Sequence, residues 1–244
     1  MYDKKIEITI PVLNEQDTLI VQVEKIINFL TTELNEFSDI KIIIADNGST
    51  DQTQKLAELL EAKYNQVNYL RLNERGVGRA LKASWGVSTA DIIGYMDLDL
   101  ATDLKYLRPA FDALVLENYD IVTGSRLAKG AKVYGRTMIR NITSRCFNLL
   151  VKNIFHTKFS DGMCGFKFLK RDKLPQVLST GMRNDGWFFA TELLIVGEFL
   201  NFRIKDLPVT WTDDPSSKVK IGKLSREYIE QMILLKKHLK EHSQ

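Results

Sequence analysis

Cysteine is scarce in this chain. Only Cys146 and Cys164 occur among 244 residues, and neither stands in a metal-type spacing. They read as small buried or half-buried thiols of a reducing compartment. No run approaches the ~20 apolar residues needed to cross a bilayer. The first residues, "MYDKKIEITIPVLNE", carry early acids and no apolar h-region, so the expectation is a cytoplasmic, non-spanning chain without a signal peptide. The excess of positive charge is only +3, too little to argue for nucleic acid as a partner. No Gly-x-Gly-x-x-Gly follows the first strand candidate, which disfavours a dinucleotide-binding oxidoreductase. Internal repeats, low-complexity segments and long linkers are absent as well.

What is present suits one large core, with 44% hydrophobic and 27% charged residues. The first half alternates strand and helix candidates. "KIEITIPVL", "IKIIIAD", "QVNYLRL", "DIIGYMD" and "YDIVTGS" read as strands, and the stretches between them place apolar residues at helical spacing. Ser49 or Thr50 is the expected N-cap of the helix in "STDQTQKLAELLEAKY". Such alternation predicts an α/β domain with a mainly parallel central sheet flanked by helices. The second half predicts a long helix in "RTMIRNITSRCFNLLVKNIF", a short strand in "GFKFLKRD" and an apolar helix in "GWFFATELLIVGEFL". A strand in "FRIKDLPVTW" and a closing helix from "KLSREYIEQ" complete it. The expected division is a main domain over 1–222 and a C-terminal helix over 223–244, packed on that domain or extending from it.

In a parallel sheet, ligands bind beyond the carboxyl ends of the strands, and polar clusters collect there. Asn14 and Glu15 follow the first strand, Asp46-Asn47-Gly48-Ser49 the second, and Asp97-Leu98-Asp99 the fourth. Residues at i and i+2 share one face of an extended segment, so Asp97 and Asp99 can aim at one point. A hard cation such as Mg²⁺ or Mn²⁺ takes few protein oxygens and fills its shell from water and phosphate. The competing reading is a solvated strand end.

"PVLNE", "ADNGSTDQT" and "YMDLDLATD" occur in the order and spacing of glycosyltransferase family 2, and "GSR", "DGMCGFKFLKR", "GWFFATELL" and "LPVTWTDDPSSKV" continue the series. The chain thus resembles the polyprenyl-phosphate members of that family, the dolichyl-phosphate glucose and mannose synthases, over nearly its whole length up to about residue 222. The resemblance implies a single GT-A (Rossmann-like) domain and inverting, metal-dependent transfer of a hexose from a nucleotide diphosphate sugar to polyprenyl phosphate. It also implies roles. Pro11, Asn14 and Glu15 would line the nucleotide pocket, and Asp46 would bond the base. Asp97 would face the ribose or sugar, and Asp99 would hold the Mg²⁺ or Mn²⁺ that bridges the diphosphate. Arg126 and Lys218 would supply cations to the phosphates. Gly76 and Gly78 would let backbone approach closely at a helix start, with Arg79 aimed at the same site; the alternative for this "GVG" is an ordinary helix-start turn. Arg140 and Ser217 would meet the acceptor.

Two departures from the family pattern bear on acceptor and donor. An Asp expected two positions before Glu192 is Ala190 here, which leaves Glu192 either a site-orienting group or a buried structural partner. A hydroxyl acceptor, on a saccharide or a teichoic-type polymer, needs a general base. A phosphate monoester, with a second pKa near ~6, arrives as a nucleophile already. A Gln frequent after the second Asp in mannose-type members is replaced by Ala101-Thr102, which favours UDP-glucose over GDP-mannose. A nucleotide-sugar binder without turnover is a further reading, opposed by Asp99, Arg126 and Lys218. Along the long helix, Arg136, Arg140, Arg145 and Lys152 interleave with Ile139, Ile142, Phe147, Leu150 and Val151. That pattern fits either an amphipathic element on the cytoplasmic face of a membrane or a core-packing helix with a basic outer face. An integral membrane partner is the other way such a chain would reach lipid.

Overall fold

The computed structural model describes residues 2–213 and 221–242, so Ser217 and Lys218 lie outside the described residues. The first half runs β1 (Tyr2–Val12), α1 (Leu19–Glu33), β2 (Phe37–Asp46), α2 (Thr53–Lys63), β3 (Val67–Arg71), α3 (Val77–Val87), β4 (Ile92–Met96), α4 (Leu107–Val115) and β5 (Ile121–Ser125). This is the expected alternation. The second half contains β6 (Lys132–Tyr134), α5 (Met138–Phe155), β7 (Phe166–Lys170), α6 (Leu174–Thr180), α7 (Phe189–Phe199), β8 (Ile204–Pro208), β9 (Thr210–Thr212) and α8 (Ile221–Glu241).

Seven strands form one sheet in the order β3-β2-β1-β4-β7-β5-β8, and β6 pairs with β9 in a separate parallel ribbon. All neighbours in the large sheet are parallel except β7, which runs antiparallel to both β4 and β5. Periodicity reports which residues form a strand and nothing about its direction. The reversal places the start of β7, and the loop before it, at the rim where β4 and β5 end.

The sheet separates two apolar layers. Ile6, Ile8 and Ile10 of β1 pack with Leu19 and Val23 of α1 and Phe111 of α4 on one face. Ile93 and Tyr95 of β4 pack with Trp85 of α3, Phe189 and Leu193 of α7 and Met232 of α8 on the other. Every residue of α7 from Phe189 to Gly197 is buried, as expected of a helix apolar all round. α8 starts two residues before the expected boundary and buries Tyr228, Met232, Leu235 and Leu239 in the second layer.

The start of α2 differs from expectation. Its first residue is Thr53 and its N-cap is Gln52, with no side-chain capping bond; Asp51 Oδ1, one residue earlier, accepts the Thr53 N–H (2.9 Å) and hydroxyl (2.6 Å). Ser49 and Thr50 bond instead to the β1–α1 loop: the Ser49 hydroxyl accepts the Asn14 N–H (2.9 Å), and the Thr50 N–H donates to Asn14 Oδ1 (2.8 Å).

Gly94 in β4 lies against Phe168 of β7, and a Cβ there would overlap the Phe168 ring and the Lys167 carbonyl. Gly94→Ala is therefore expected to destabilise the fold by about 1–3 kcal/mol. Urea denaturation measures it, and an unchanged midpoint would contradict the packing described.

Candidate active site

The C-terminal ends of β1, β2, β4 and β5 bring the polar clusters to one rim. β4 ends at Met96, and residues 98–99 form a turn, so the two carboxylates do not share an extended face as expected. The turn buries Leu98 and leaves Asp97 half-buried and Asp99 exposed. Asp99 Oδ1 accepts the Ala101 N–H (3.0 Å). Asp97 is fixed by β7's loop: its N–H donates to the Gly165 carbonyl (3.1 Å), and its carboxylate lies so close to the Gly165 Cα that no Cβ fits there. Burial and the neighbouring Asp99 charge push the Asp97 carboxyl up to about 7, against the opposing pull of Lys167 and Arg126.

Beneath these carboxylates is a buried charged cluster. Arg126, one residue beyond β5, forms a two-pronged ion pair with Asp161, Nε–Oδ2 2.6 Å and Nη2–Oδ1 2.9 Å, and its own N–H also donates to Asp161 (3.1 Å). Trp211 covers the guanidinium at 4.8 Å. With 7% of its side chain exposed, Arg126 is an internal brace rather than a cation open to phosphate. Lys167 of β7 is wholly buried and donates to the Cys164 carbonyl (2.5 Å). Burial, with the like charge of Arg126, pulls its ammonium below the usual lysine range, and the carboxylates of Asp161 and Asp97 act against that. Lys167, Gly165 and the brace role of Asp161 were not singled out in the sequence. A lone Lys between two Phe in "GFKFLK" was the available signal.

The remaining expected residues divide. Asn14 has φ of 56° and is exposed, Pro11 is half-buried at the end of β1, and Glu15 accepts the Thr18 hydroxyl (2.7 Å). Asp46 is fully buried: Oδ1 accepts the Ser49 N–H (2.7 Å), and Oδ2 accepts from the Tyr69 hydroxyl (2.8 Å) and Arg71 (2.9 Å). Its carboxylate organises the β2 and β3 ends from inside, and no oxygen points outward for a base. Gly76 and Gly78 do permit a close backbone approach, but the backbone is that of residues 184–186. The Gly78 and Arg79 N–H groups donate to the carbonyls of Gly186 and Asp185, both at 3.2 Å. Arg79 pairs with Glu74 and with Asp185 (2.9 Å). Glu192 is buried and accepts the Asn184 N–H (3.0 Å), so it supports the same loop, and burial raises its pKa. Arg140 pairs with Asp213 (2.9 Å).

The donor set suits a hard divalent ion. Two adjacent carboxylates repel each other at the rim, and among the described residues no group of three or more His, Cys, Asp or Glu could hold a metal alone. An ion there would draw most of its shell from diphosphate and water.

Solved structures with this architecture are GT-A glycosyltransferases. Glucosyl-3-phosphoglycerate synthase from Mycobacterium tuberculosis, solved with Mn²⁺, UDP and glucosyl-3-phosphoglycerate, superposes with a TM-score of 0.69 at 16% identity, covering 96% of this chain and 80% of that one. The family model described as "Glycosyl transferase family 2" matches residues 7–178, so the chain belongs to that family. Glycosyltransferase AglD of Haloferax volcanii is 30% identical over 220 residues, 88% of this chain and 34% of that protein. Dolichyl-phosphate beta-glucosyltransferase of Dictyostelium discoideum is 30% identical over 226 residues, 88% of this chain and 68% of that protein. The chain thus spans about a third of the first relative and about two thirds of the second.

Two outcomes follow from this geometry. Asp161→Asn strands the buried Arg126 charge and is expected to cost about 3–5 kcal/mol in denaturation experiments. Asp97 has a folded-state pKa near 7, above its unfolded value of ~3.9, so the folded protein holds that proton more tightly. Its contribution to stability therefore falls as pH rises between those values. In EDTA, Asp97→Asn should gain stability relative to wild type on going from pH 5 to pH 8. Equal differences at both pH values would contradict the assignment.

Proposed function

We propose that the chain transfers glucose from UDP-glucose to a polyprenyl phosphate, dolichyl or undecaprenyl, in one inverting displacement that uses Mg²⁺ or Mn²⁺. The observation that carries this reading is the rim pair Asp97 and Asp99 in a family 2 chain whose relatives include dolichyl-phosphate beta-glucosyltransferases. Neighbours of the same fold were solved with Mn²⁺ or Mg²⁺ and UDP, which supports the same donor chemistry.

An acceptor phosphate oxygen attacks the anomeric carbon while the bond from that carbon to the diphosphate oxygen breaks, and its electron pair leaves with UDP. A divalent ion, when bound, neutralises the charge that grows on the diphosphate. Asp99 and Asp97 would hold it, with Asp97 also facing the ribose or sugar. Gly165 and the Arg126–Asp161 brace keep Asp97 in place. No step needs a protein base: Ala190 offers no carboxylate and Glu192 is turned to the Asn184 N–H. This disfavours a hydroxyl acceptor.

The outer face of α5 supports a membrane partner. Met138, Ile139, Ile142 and Leu149 are 57–80% exposed, while the buried residues of this helix are Ser144, Asn148 and Val151. Ile229, Ile233 and Leu234 of α8 are exposed too, with Arg145, Lys236 and Lys237 among these apolar groups. Exposed apolar surface rimmed by cations suits a lipid surface carrying phosphate. The proposed place of action is the cytoplasmic surface of a membrane; no described helix is long and apolar enough to cross one.

The test is transfer of labelled sugar into organic-extractable lipid, with UDP-glucose and GDP-mannose run in parallel. Label from UDP-glucose, lost in EDTA and restored by Mn²⁺, is expected. Asp99→Asn should abolish metal-dependent donor binding with the unfolding midpoint retained. Metal-independent transfer, or wild-type donor affinity in that variant, would remove the assignment.

A further inference from the structure

Lys167 of β7 is closed off from water entirely, beside its sheet partners Tyr95 of β4 and Thr123 of β5. Lysine is rarely enclosed in this way unless a carboxylate pairs with it. Among the described residues none does: Asp161 pairs with Arg126, and the acceptor that meets the Lys167 ammonium is the Cys164 carbonyl. An apolar side chain of similar length would fill the same space without the cost of taking an ammonium out of water. Packing therefore does not account for this residue. Its carbonyl partner lies in the segment that forms the rim.

The peptides on either side of that carbonyl are held from elsewhere. The Gly162 N–H donates to Asn148 Oδ1 (2.8 Å), the Met163 N–H donates to Asp161 Oδ1 (3.1 Å), and Phe166 pairs with Met96 of β4. Between these points stands Gly165, whose carbonyl accepts the Asp97 N–H and whose Cα lies against the Asp97 carboxylate. That close approach demands glycine, and glycine restrains its own backbone least. The peptide leading into Gly165 is the one whose carbonyl the Lys167 ammonium binds, at 2.5 Å. A charge-assisted bond is stronger than a neutral one and fixes the carbonyl's direction. We propose that Lys167 is a positioning residue: its ammonium locks the Cys164–Gly165 peptide, and that peptide sets how Asp97 presents its carboxylate to a divalent ion bound with a nucleoside diphosphate. This rests on the proposed metal-dependent transfer.

Wild type, Lys167→Met and Lys167→Gln are compared as full chains. Binding of Mn²⁺ in the presence of UDP is followed by the paramagnetic resonance signal of the free ion. Amide exchange is followed by NMR at Asp97 and at Asn47, whose N–H donates to the Val12 carbonyl (2.9 Å) at the same rim. Lys167→Met is expected to weaken Mn²⁺ binding about tenfold or more, to speed exchange of the Asp97 N–H, and to leave Asn47 as in wild type. Lys167→Gln removes the charge and keeps a donor, so its two readings should fall between those of wild type and Lys167→Met. Wild-type Mn²⁺ affinity in Lys167→Met overturns the proposal. An Asp97 amide that exchanges as in wild type overturns it too, as does equal acceleration at Asp97 and Asn47, the mark of a general loosening. Should wild type bind no Mn²⁺ with UDP, the metal reading falls, and exchange at Asp97 against Asn47 alone decides whether Lys167 positions that residue. If Lys167→Met does not fold, the readings are taken on Lys167→Gln, where a wild-type value of either one overturns the proposal.

Discussion

The Arg126–Asp161 pair is the constraint on which the site rests. It ties the residue after β5 to the loop that precedes β7, and Trp211 of β9 closes over it. That loop then presents Gly165 to Asp97, while Asn148 of α5 accepts the Gly162 N–H (2.8 Å) from the other side. A buried pair of this kind adds little net stability compared with apolar packing, yet losing one partner is expensive. Its effect is to hold one arrangement of four chain segments. Both groups are buried because the whole cluster is, and each satisfies the other.

The antiparallel strand β7 follows the same logic. Its direction delivers Gly165 and Cys164 to the rim at its start and drops Lys167 into the layer between Tyr95 and Thr123. The buried ammonium lies where the charges of Asp97, Asp161 and Arg126 all act on it. Positive and negative charge are thereby stacked in depth, with carboxylates at the surface and their compensation below. Under the proposed function, a diphosphate arriving at this rim would meet carboxylates first, and a cation between the two would reconcile them.

α5 packs on the second layer through Val151, Phe147, Ile154 and Phe155, and its buried Ser144 and Asn148 meet the Arg136 guanidinium and the Gly162 N–H. Its outer face leaves Met138, Ile139, Ile142 and Leu149 exposed beside Asn141 and Arg145. Part of the apolar set of this helix packs on the core, and the exposed remainder is what the membrane reading rests on.

The sequence alone determined the element order of the first half, the mainly parallel sheet, and the rim positions of Asn14, Asp46, Asp97 and Asp99, because hydrophobic periodicity and strand-end polarity are local properties; β6 and the division of "FRIKDLPVTW" into β8 and β9 came only with the fold. The ordered motifs placed the chain in its family. It could not show that Asp46, Arg126 and Arg140 have internal partners, that Glu192 supports a loop, or that Gly76 and Gly78 face residues 184–186. Those facts depend on contacts between residues far apart in the chain: Arg126 and Asp161 are joined only once β5 and β7 lie side by side. A charge's role is set by what neutralises it, and the partner is chosen by the tertiary fold.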